Sequence, residues 1–195
     1  LFNEITASSL IKVSFDGEVI AGDYPYNDAG HAIHSAMLKA RPDINVALHS
    51  HTRAGMAVSC MEEGLLPISQ QAAEVFDLVC YHDYGFADED NPEECQRLGE
   101  DLADKWLMIM HNHGLLSVGR TVAEAFFYLY TLENACKVQV DVMSSGATMK
   151  HIDAEPLRQL AEYSRPKTEG PSDSATRCWE ALLRQLDQQD PSYKS

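Results

Sequence analysis

Short apolar segments that alternate with helix-like segments are the feature that most constrains the fold of this chain. Leu107–Met110 is a continuous apolar run of strand length, as expected of a strand buried on both faces of a sheet. The segment 44–51 alternates and is rich in β-formers, whereas 30–40 and 52–60 carry apolar residues at helical spacing. Strands alternating with helices predict an α/β domain whose helices pack on a central sheet.

The remaining segments extend this pattern in both directions. The Asp16-Gly17 turn predicts a β-hairpin over 10–20, because that dipeptide tolerates the positive φ of a tight turn. Thr121 and Glu124 form a capping box that predicts a long helix to about Met143. Weaker patterns predict strands over 65–67 and 78–81, helices over 69–76, 88–104, 155–163 and 175–186, and a flexible segment over 165–174.

Composition and charge exclude several classes of protein. The chain has 195 residues, of which 45% are hydrophobic, and this is enough for one substantial core or two small ones. Its formal charge of -15 repels phosphates, which argues against general nucleic-acid binding. No apolar stretch approaches the roughly 20 residues of a membrane-spanning helix, and the five cysteines form no close pair. We therefore expect a cytoplasmic protein without membrane insertion. Because Leu1 is not a methionine, we also expect that a further segment precedes it.

Two histidine motifs are the strongest chemical signal in the sequence. His49-Ser50-His51 ends one predicted strand, and a two-residue period places both imidazoles on the same face within reach of one cation. His111-Asn112-His113 ends another, so that both motifs lie where the sheet of an α/β domain opens a crevice. A metal site and a set of surface histidines with other uses fit these spacings about equally well.

Several separated motifs resemble those of the class II aldolase/adducin family, and especially its adducin-like branch. They are His49-Ser-His-Thr-Arg-Ala-Gly-Met-Ala-Val-Ser59, Glu63-Gly-Leu-Leu-Pro-Ile-Ser69, Tyr81-His-Asp-Tyr84 and His113-Gly-Leu-Leu-Ser-Val-Gly-Arg-Thr-Val-Ala-Glu-Ala-Phe126, in the family's order. The resemblance implies a three-layer α/β/α fold with a mainly antiparallel or mixed central sheet. It further implies an aldolase/adducin-like domain over 1–150. The helical patterns that follow predict a C-terminal extension over 151–195, packed on the domain or on a neighbouring subunit.

The same resemblance implies a divalent cation held by His49, His51 and His113. Zinc is the first choice, and manganese, iron, cobalt or nickel suit the same nitrogen ligands. Three neutral imidazoles leave the positive charge of the cation undiminished, which suits stabilisation of an enolate in a carbon–carbon lyase of the aldolase or decarboxylase type. Activation of a bound water is the alternative chemistry. The expected substrate is a small carbonyl compound or hydroxy acid.

Other polar residues are assigned around this site. Beyond the three ligands, we expect His111, Arg53 and Gln71 in the pocket or in contact with the ligands. Gln71 is included because it falls near the position of a tyrosine that aldolases contribute from a neighbouring subunit. His34 resembles a helix position that supports the fold. We place His82 and the following aspartate in a loop, with either a pocket role or a plain turn role.

The chain departs from the aldolase pattern at the start of the helix before the histidine pair. Family aldolases carry an acid/base carboxylate there, and this chain has Gly30 instead, preceded by Asp28 and Ala29 where the family has phosphate-binding serines. General acid/base catalysis is commonly worth about 10²–10⁴ in rate, so sugar-phosphate aldolase activity is doubtful. His31 is adjacent to the missing acid, but it points about 100° away around the helix, which makes it a weak substitute.

Gly30 also supports a second reading of the sequence. A free-standing adducin-like head without catalysis would serve as an oligomerising or protein-binding module, although the chain lacks the basic tail with which adducins bind spectrin and actin. Both readings predict a homo-oligomer, and the family resemblance points to a homotetramer. The sequence therefore leaves a metal-dependent lyase and a non-catalytic assembly module as the two candidate functions.

Overall fold

The centre of the molecule is a four-stranded mixed sheet. The computed structural model describes residues 4–87, 91–166 and 172–195. Its central strands are Val46–Ser50 (β3), Val79–His82 (β4), Leu107–Met110 (β5) and Gly114–Gly119 (β6), in the spatial order β3-β6-β5-β4. β6 runs antiparallel to both β3 and β5, and β4 runs parallel to β5. Because β3 and β5 share an antiparallel partner, they point the same way and end at the same edge of the sheet.

Helices cover both faces of this sheet. Asp28–Ala40 (α1) and Pro92–Leu102 (α4) pack on one face, and Arg53–Ser59 (α2), Gln70–Val75 (α3) and Val122–Ser145 (α5) pack on the other. β5 supplies side chains to both layers, since Leu107 and Ile109 join the core on the α5 side while Met108 and Met110 join the core on the α1 side. This arrangement confirms the three-layer α/β/α fold and explains why β5 is apolar throughout.

The N-terminal prediction is confirmed. Lys12–Val13 (β1) and Val19–Ala21 (β2) form a separate two-stranded antiparallel sheet, and Gly17 in its turn has a φ of 81°. α1 begins two residues before the predicted start, because the Asn27 side chain accepts a hydrogen bond from the Gly30 amide and caps the helix earlier.

The long helix and the C-terminal helices also follow the prediction. The Thr121 hydroxyl accepts the Glu124 amide at the start of α5, and Gly146 ends the helix in the left-handed region. Ala154–Ser164 (α6) lies against α3, and Asp173–Gln189 (α7) packs along α5, where the Trp179 ring lies 5.4 Å from that of Phe126. Residues 167–171 of the predicted flexible segment lie outside the described residues. None of the described helices is long and apolar enough to span a membrane.

One predicted strand does not form, one strand was not predicted, and the acidic helix is shorter than expected. The strand over 65–67 does not form, because Leu65 and Leu66 donate their amides to the Tyr81 hydroxyl and to Gln139 Oε1 instead of to another strand. β6 was missed, although its buried run follows the second histidine motif directly. The acidic helix begins at Pro92 and ends at Leu102, and the earlier acidic residues 88–90 lie outside the described part of the chain.

Candidate metal centre

Three histidines meet at the sheet edge where β3 and β5 end. His49 lies in β3 opposite Leu116, His51 follows the last residue of β3, and His113 closes the turn that joins β5 to β6. Asn112 makes this turn tight, with a φ of 57°. Gly114 must lack a side chain, because a Cβ there would overlap the Ser50 carbonyl oxygen. Antiparallel pairing of β3 with β6 therefore delivers the two histidine motifs to one place.

The geometry of the three imidazoles suits a single cation. Each ring offers one nitrogen, and these nitrogens lie within 4.8 Å of one another. The ring centroids of His49 and His51 are 4.6 Å apart, and both are 4.8 Å from that of His113. The Nε2 atoms of His49 and His51 are 2.7 Å apart, compared with about 3.3 Å for two nitrogens bonded tetrahedrally to zinc at 2.0–2.1 Å. A small outward movement of one ring would therefore accommodate the ion.

Hydrogen bonding and burial prepare these rings as ligands. The Nδ1–H of His49 donates to the Leu115 carbonyl at 2.9 Å, which fixes the tautomer that leaves Nε2 with a lone pair. Burial, reinforced by the nearby His113 and His51, lowers the pKa of His49 to about 4. Burial also lowers the pKa of His113. Neutral imidazoles are the form that binds metal, so the folded structure favours the binding state of His49 and His113.

The other predicted histidines lie outside this group of three. The Nδ1 of His111 lies 3.2 Å from the Ser59 carbonyl oxygen, and its ring stacks on Tyr81 with centroids 5.5 Å apart. His34 is partly buried against β3, where it hydrogen-bonds the Ala47 backbone, and burial lowers its pKa. Among the described histidines, only His49, His51 and His113 form a group that could hold a metal ion.

His31 turns toward the N-terminal hairpin. Its Nε2 lies 2.8 Å from the Ser14 carbonyl oxygen and 3.2 Å from the Ser35 hydroxyl. It lines a groove of about 840 Å³ between α1 and α4, whose wall also includes Lys39 and which contains none of the three clustered histidines. Arg53 at the start of α2 and Gln71 in α3 are both exposed, and the pocket roles of these residues stay predictions.

The loop expected around His82 is instead the end of a strand with a buried ionic cluster. His82 is the last residue of β4 and is 2% exposed, with Nε2 2.9 Å from Glu94 Oε1 and Nδ1 2.7 Å from Asp101 Oδ2. Arg97 donates to both Glu94 oxygens and to the Asp83 carbonyl. Two sequence signals could have predicted this cluster. The two-residue period of a strand places His82 on the same face as Cys80. The spacing of Glu94, Arg97 and Asp101 places these three residues on one face of α4.

This cluster fixes the loop that carries Tyr84 toward the three histidines. Tyr84 is 63% exposed, and its ring lies 6.3 Å from that of His113. Gly85 follows directly, and a Cβ at this position would overlap the Glu94 carboxylate, so no larger residue fits while Glu94 stays in place. The Tyr84 ring therefore lies next to His113, one of the three clustered histidines.

The fold and the site together define an α/β/α protein with a candidate three-histidine centre for a divalent metal. Residues 1–140 match the family described as Class II Aldolase and Adducin N-terminal domain. The chain belongs to this family.

Individual relatives come from both branches of the family. The chain is 45% identical over 201 residues to the "Putative aldolase class 2 protein PA3430" of Pseudomonas aeruginosa, covering 100% of this chain and 75% of that protein. It is 40% identical over 202 residues to alpha-adducin of Mus musculus, covering 96% of this chain but 27% of the adducin.

Solved structures confirm the fold. An aldolase II superfamily protein from Pseudomonas syringae superposes with a TM-score of 0.91 at 40% identity, covering 100% of this chain and 78% of that one. An L-fuculose 1-phosphate aldolase from Glaciozyma antarctica superposes with a TM-score of 0.82 at 27% identity, covering 100% of this chain and 74% of that one.

Proposed function

We propose that this chain is a metal-dependent carbon–carbon lyase of the aldolase or decarboxylase type, acting on a small carbonyl compound or hydroxy acid. The observation that carries the proposal is the convergence of His49, His51 and His113, which come from two chain segments more than sixty residues apart and offer one nitrogen each within 4.8 Å. The similarity to an L-fuculose 1-phosphate aldolase over the whole chain supports the same chemistry.

Residues of the protein itself orient the His49 ligand and keep it neutral. The Leu115 carbonyl orients His49, and the low pKa of His49 keeps its imidazole neutral at physiological pH. A divalent cation held by three neutral imidazoles would supply a Lewis acid for the negative charge of an enolate. Zinc is the proposed ion, and manganese, iron, cobalt or nickel suit the same nitrogen ligands.

Proton transfer is the weaker part of the proposal. Gly30 supplies no side chain, and the contacts of His31 with Ser14 and Ser35 direct its ring to the hairpin. These contacts argue against His31 as the catalytic acid. Tyr84, beside His113, is positioned to contact a molecule bound at the three histidines.

The second candidate is a non-catalytic adducin-like module for oligomerisation or protein binding. Gly30 favours it, because a glycine cannot replace the acid/base carboxylate, and the similarity to alpha-adducin covers 96% of this chain. In either case we propose a homo-oligomer, with a tetramer as the first expectation, and a boundary near residue 150 between the family domain and its helical extension.

Metal analysis and a substrate screen separate the two candidates. Purified protein should bind about one zinc per chain, and His113→Ala should abolish binding, whereas His111→Ala, a matched change two residues away and outside the cluster, should retain the metal. Aldol donors, keto acids and 3-hydroxy acids are then tested with and without chelator. Chelator-sensitive turnover of any of them supports the lyase, and bound metal without turnover across the panel favours the module.

A further inference from the structure

A threonine beside the metal centre is tied to a carboxylate from a distant helix. Thr52 directly follows His51, and its hydroxyl donates to Glu133 Oε2 at 2.5 Å. Glu133 belongs to α5, lies 81 residues further along the chain, and has a side chain that is only 13% exposed. Hydrogen bonds to charged groups contribute more than neutral ones, so this bond joins α5 firmly to the turn that carries His51.

Thr52 makes this bond instead of the usual one at a helix start. It occupies the cap position of α2, where a threonine side chain commonly accepts an amide of the first helical turn, and no such bond is present. Gly55 leaves room for this hydroxyl, since a Cβ there would lie 2.7 Å from Thr52 Oγ1 and 2.6 Å from Leu115 Cγ. Leu115 is the residue whose carbonyl orients His49. The close approach of α2 and β6 at Gly55 therefore lies next to both the Thr52 hydroxyl and the residue that orients His49.

We infer that Glu133 is a positioning residue for the cation site, acting through the Thr52 hydroxyl on the turn from which His51 projects. The inference rests on the proposed function, because it assumes that the three histidines bind a cation. The Glu133 carboxylate accepts the Thr52 hydroxyl and so fixes the direction in which that hydroxyl points. Lys137 is the cation that faces Glu133 on α5, with Nζ 3.6 Å from Oε1, but this lysine is 57% exposed and water screens its charge.

Zinc affinity measured by competition with a chromophoric chelator tests the inference. Removal of a group that orients a metal ligand typically costs 10–100-fold in metal affinity, and we expect a loss of about this size for Thr52→Val and Glu133→Ala. Thr52→Ser keeps the hydroxyl and should bind zinc nearly as the wild type does. Glu133→Gln keeps an acceptor oxygen without the charge, and its affinity should lie between those of wild type and Glu133→Ala.

A matched control separates positioning from general stability. Thr131→Val removes a buried hydroxyl from the same helix, where it bonds the Phe127 carbonyl, and should lower the melting temperature of the metal-free protein without weakening zinc binding. The visible absorption of the cobalt-substituted protein should change in Thr52→Val and not in Thr131→Val.

The outcomes distinguish this inference from the proposed function. Wild-type zinc affinity in both Thr52→Val and Glu133→Ala would overturn the positioning role while leaving the metal site intact. Failure of the wild type itself to bind zinc or cobalt would overturn the proposed function, and with it the site that Glu133 positions.

Discussion

The buried cluster around His82 gives a prediction whose magnitude follows from the structure. His82→Ala removes two contacts with ionised carboxyl groups, one to Glu94, whose side chain is 9% exposed, and one to Asp101, whose side chain is 37% exposed. A hydrogen bond to a charged group contributes about 1.5–3 kcal/mol, and the more exposed Asp101 contact contributes less because water screens it. Arg97 stays bonded to Glu94, so the carboxylate is not left alone. We therefore expect the free energy of unfolding to fall by about 3 kcal/mol.

Urea denaturation of the metal-free protein measures this loss directly. At about 2–4 °C per kcal/mol for a chain of this size, the melting temperature should fall on the order of 10 °C. His151→Ala, at an exposed position, is the control and should change the free energy of unfolding by less than about 0.5 kcal/mol. A double-mutant cycle with Glu94→Ala should show coupling between the two sites. A loss below about 1 kcal/mol for His82→Ala, or no coupling, would refute the reasoning.

Three further predictions follow. Gly85→Ala should lower the free energy of unfolding by about 1–3 kcal/mol in urea denaturation, because the new Cβ would displace the Glu94 carboxylate. An unchanged urea midpoint would show that the loop accepts a Cβ at this position. Asn112→Val should destabilise by about 1–2 kcal/mol, since a β-branched residue resists a φ of 57°, whereas Asn112→Gly should be tolerated in the same assay. The metal-free protein should lose stability as pH falls from about 6.5 toward 4, because His49 takes up a proton more readily unfolded than folded; denaturation across that range with no slope would argue against a buried, neutral His49.

Most of the secondary structure could be predicted from local patterns. The Thr121 cap of α5, the turn at Gly17 and the apolar run of β5 each work through residues close in sequence, and the structure confirms all three. The second half of the predicted capping box does not form, because the Glu124 side chain accepts the Arg120 amide instead of the Thr121 amide. The strand expected over 65–67 failed for the opposite reason. Its amides are satisfied by Tyr81 and Gln139, which are distant in sequence, and Pro67, which has no amide proton, is the one local signal against the strand.

The candidate site was predicted in part. The two histidine motifs stand out in the sequence, and the family resemblance singles out His113 rather than His111. Spacing alone could not decide between them, because strand alternation would place both on one face. The structure separates them, since the chain leaves β5 at Met110 and the turn directs His111 to Ser59 and Tyr81.

By itself the sequence determined the types of most elements, the apolar faces they bury and the two places where histidines end a strand, because these depend on neighbours within a few residues. Only the tertiary structure decided the strand order that joins the two histidine motifs, the burial of His82 between carboxylates, and the bond between Thr52 and Glu133. These features depend on contacts between segments far apart in the chain, whose partners are set by the packing of the whole core.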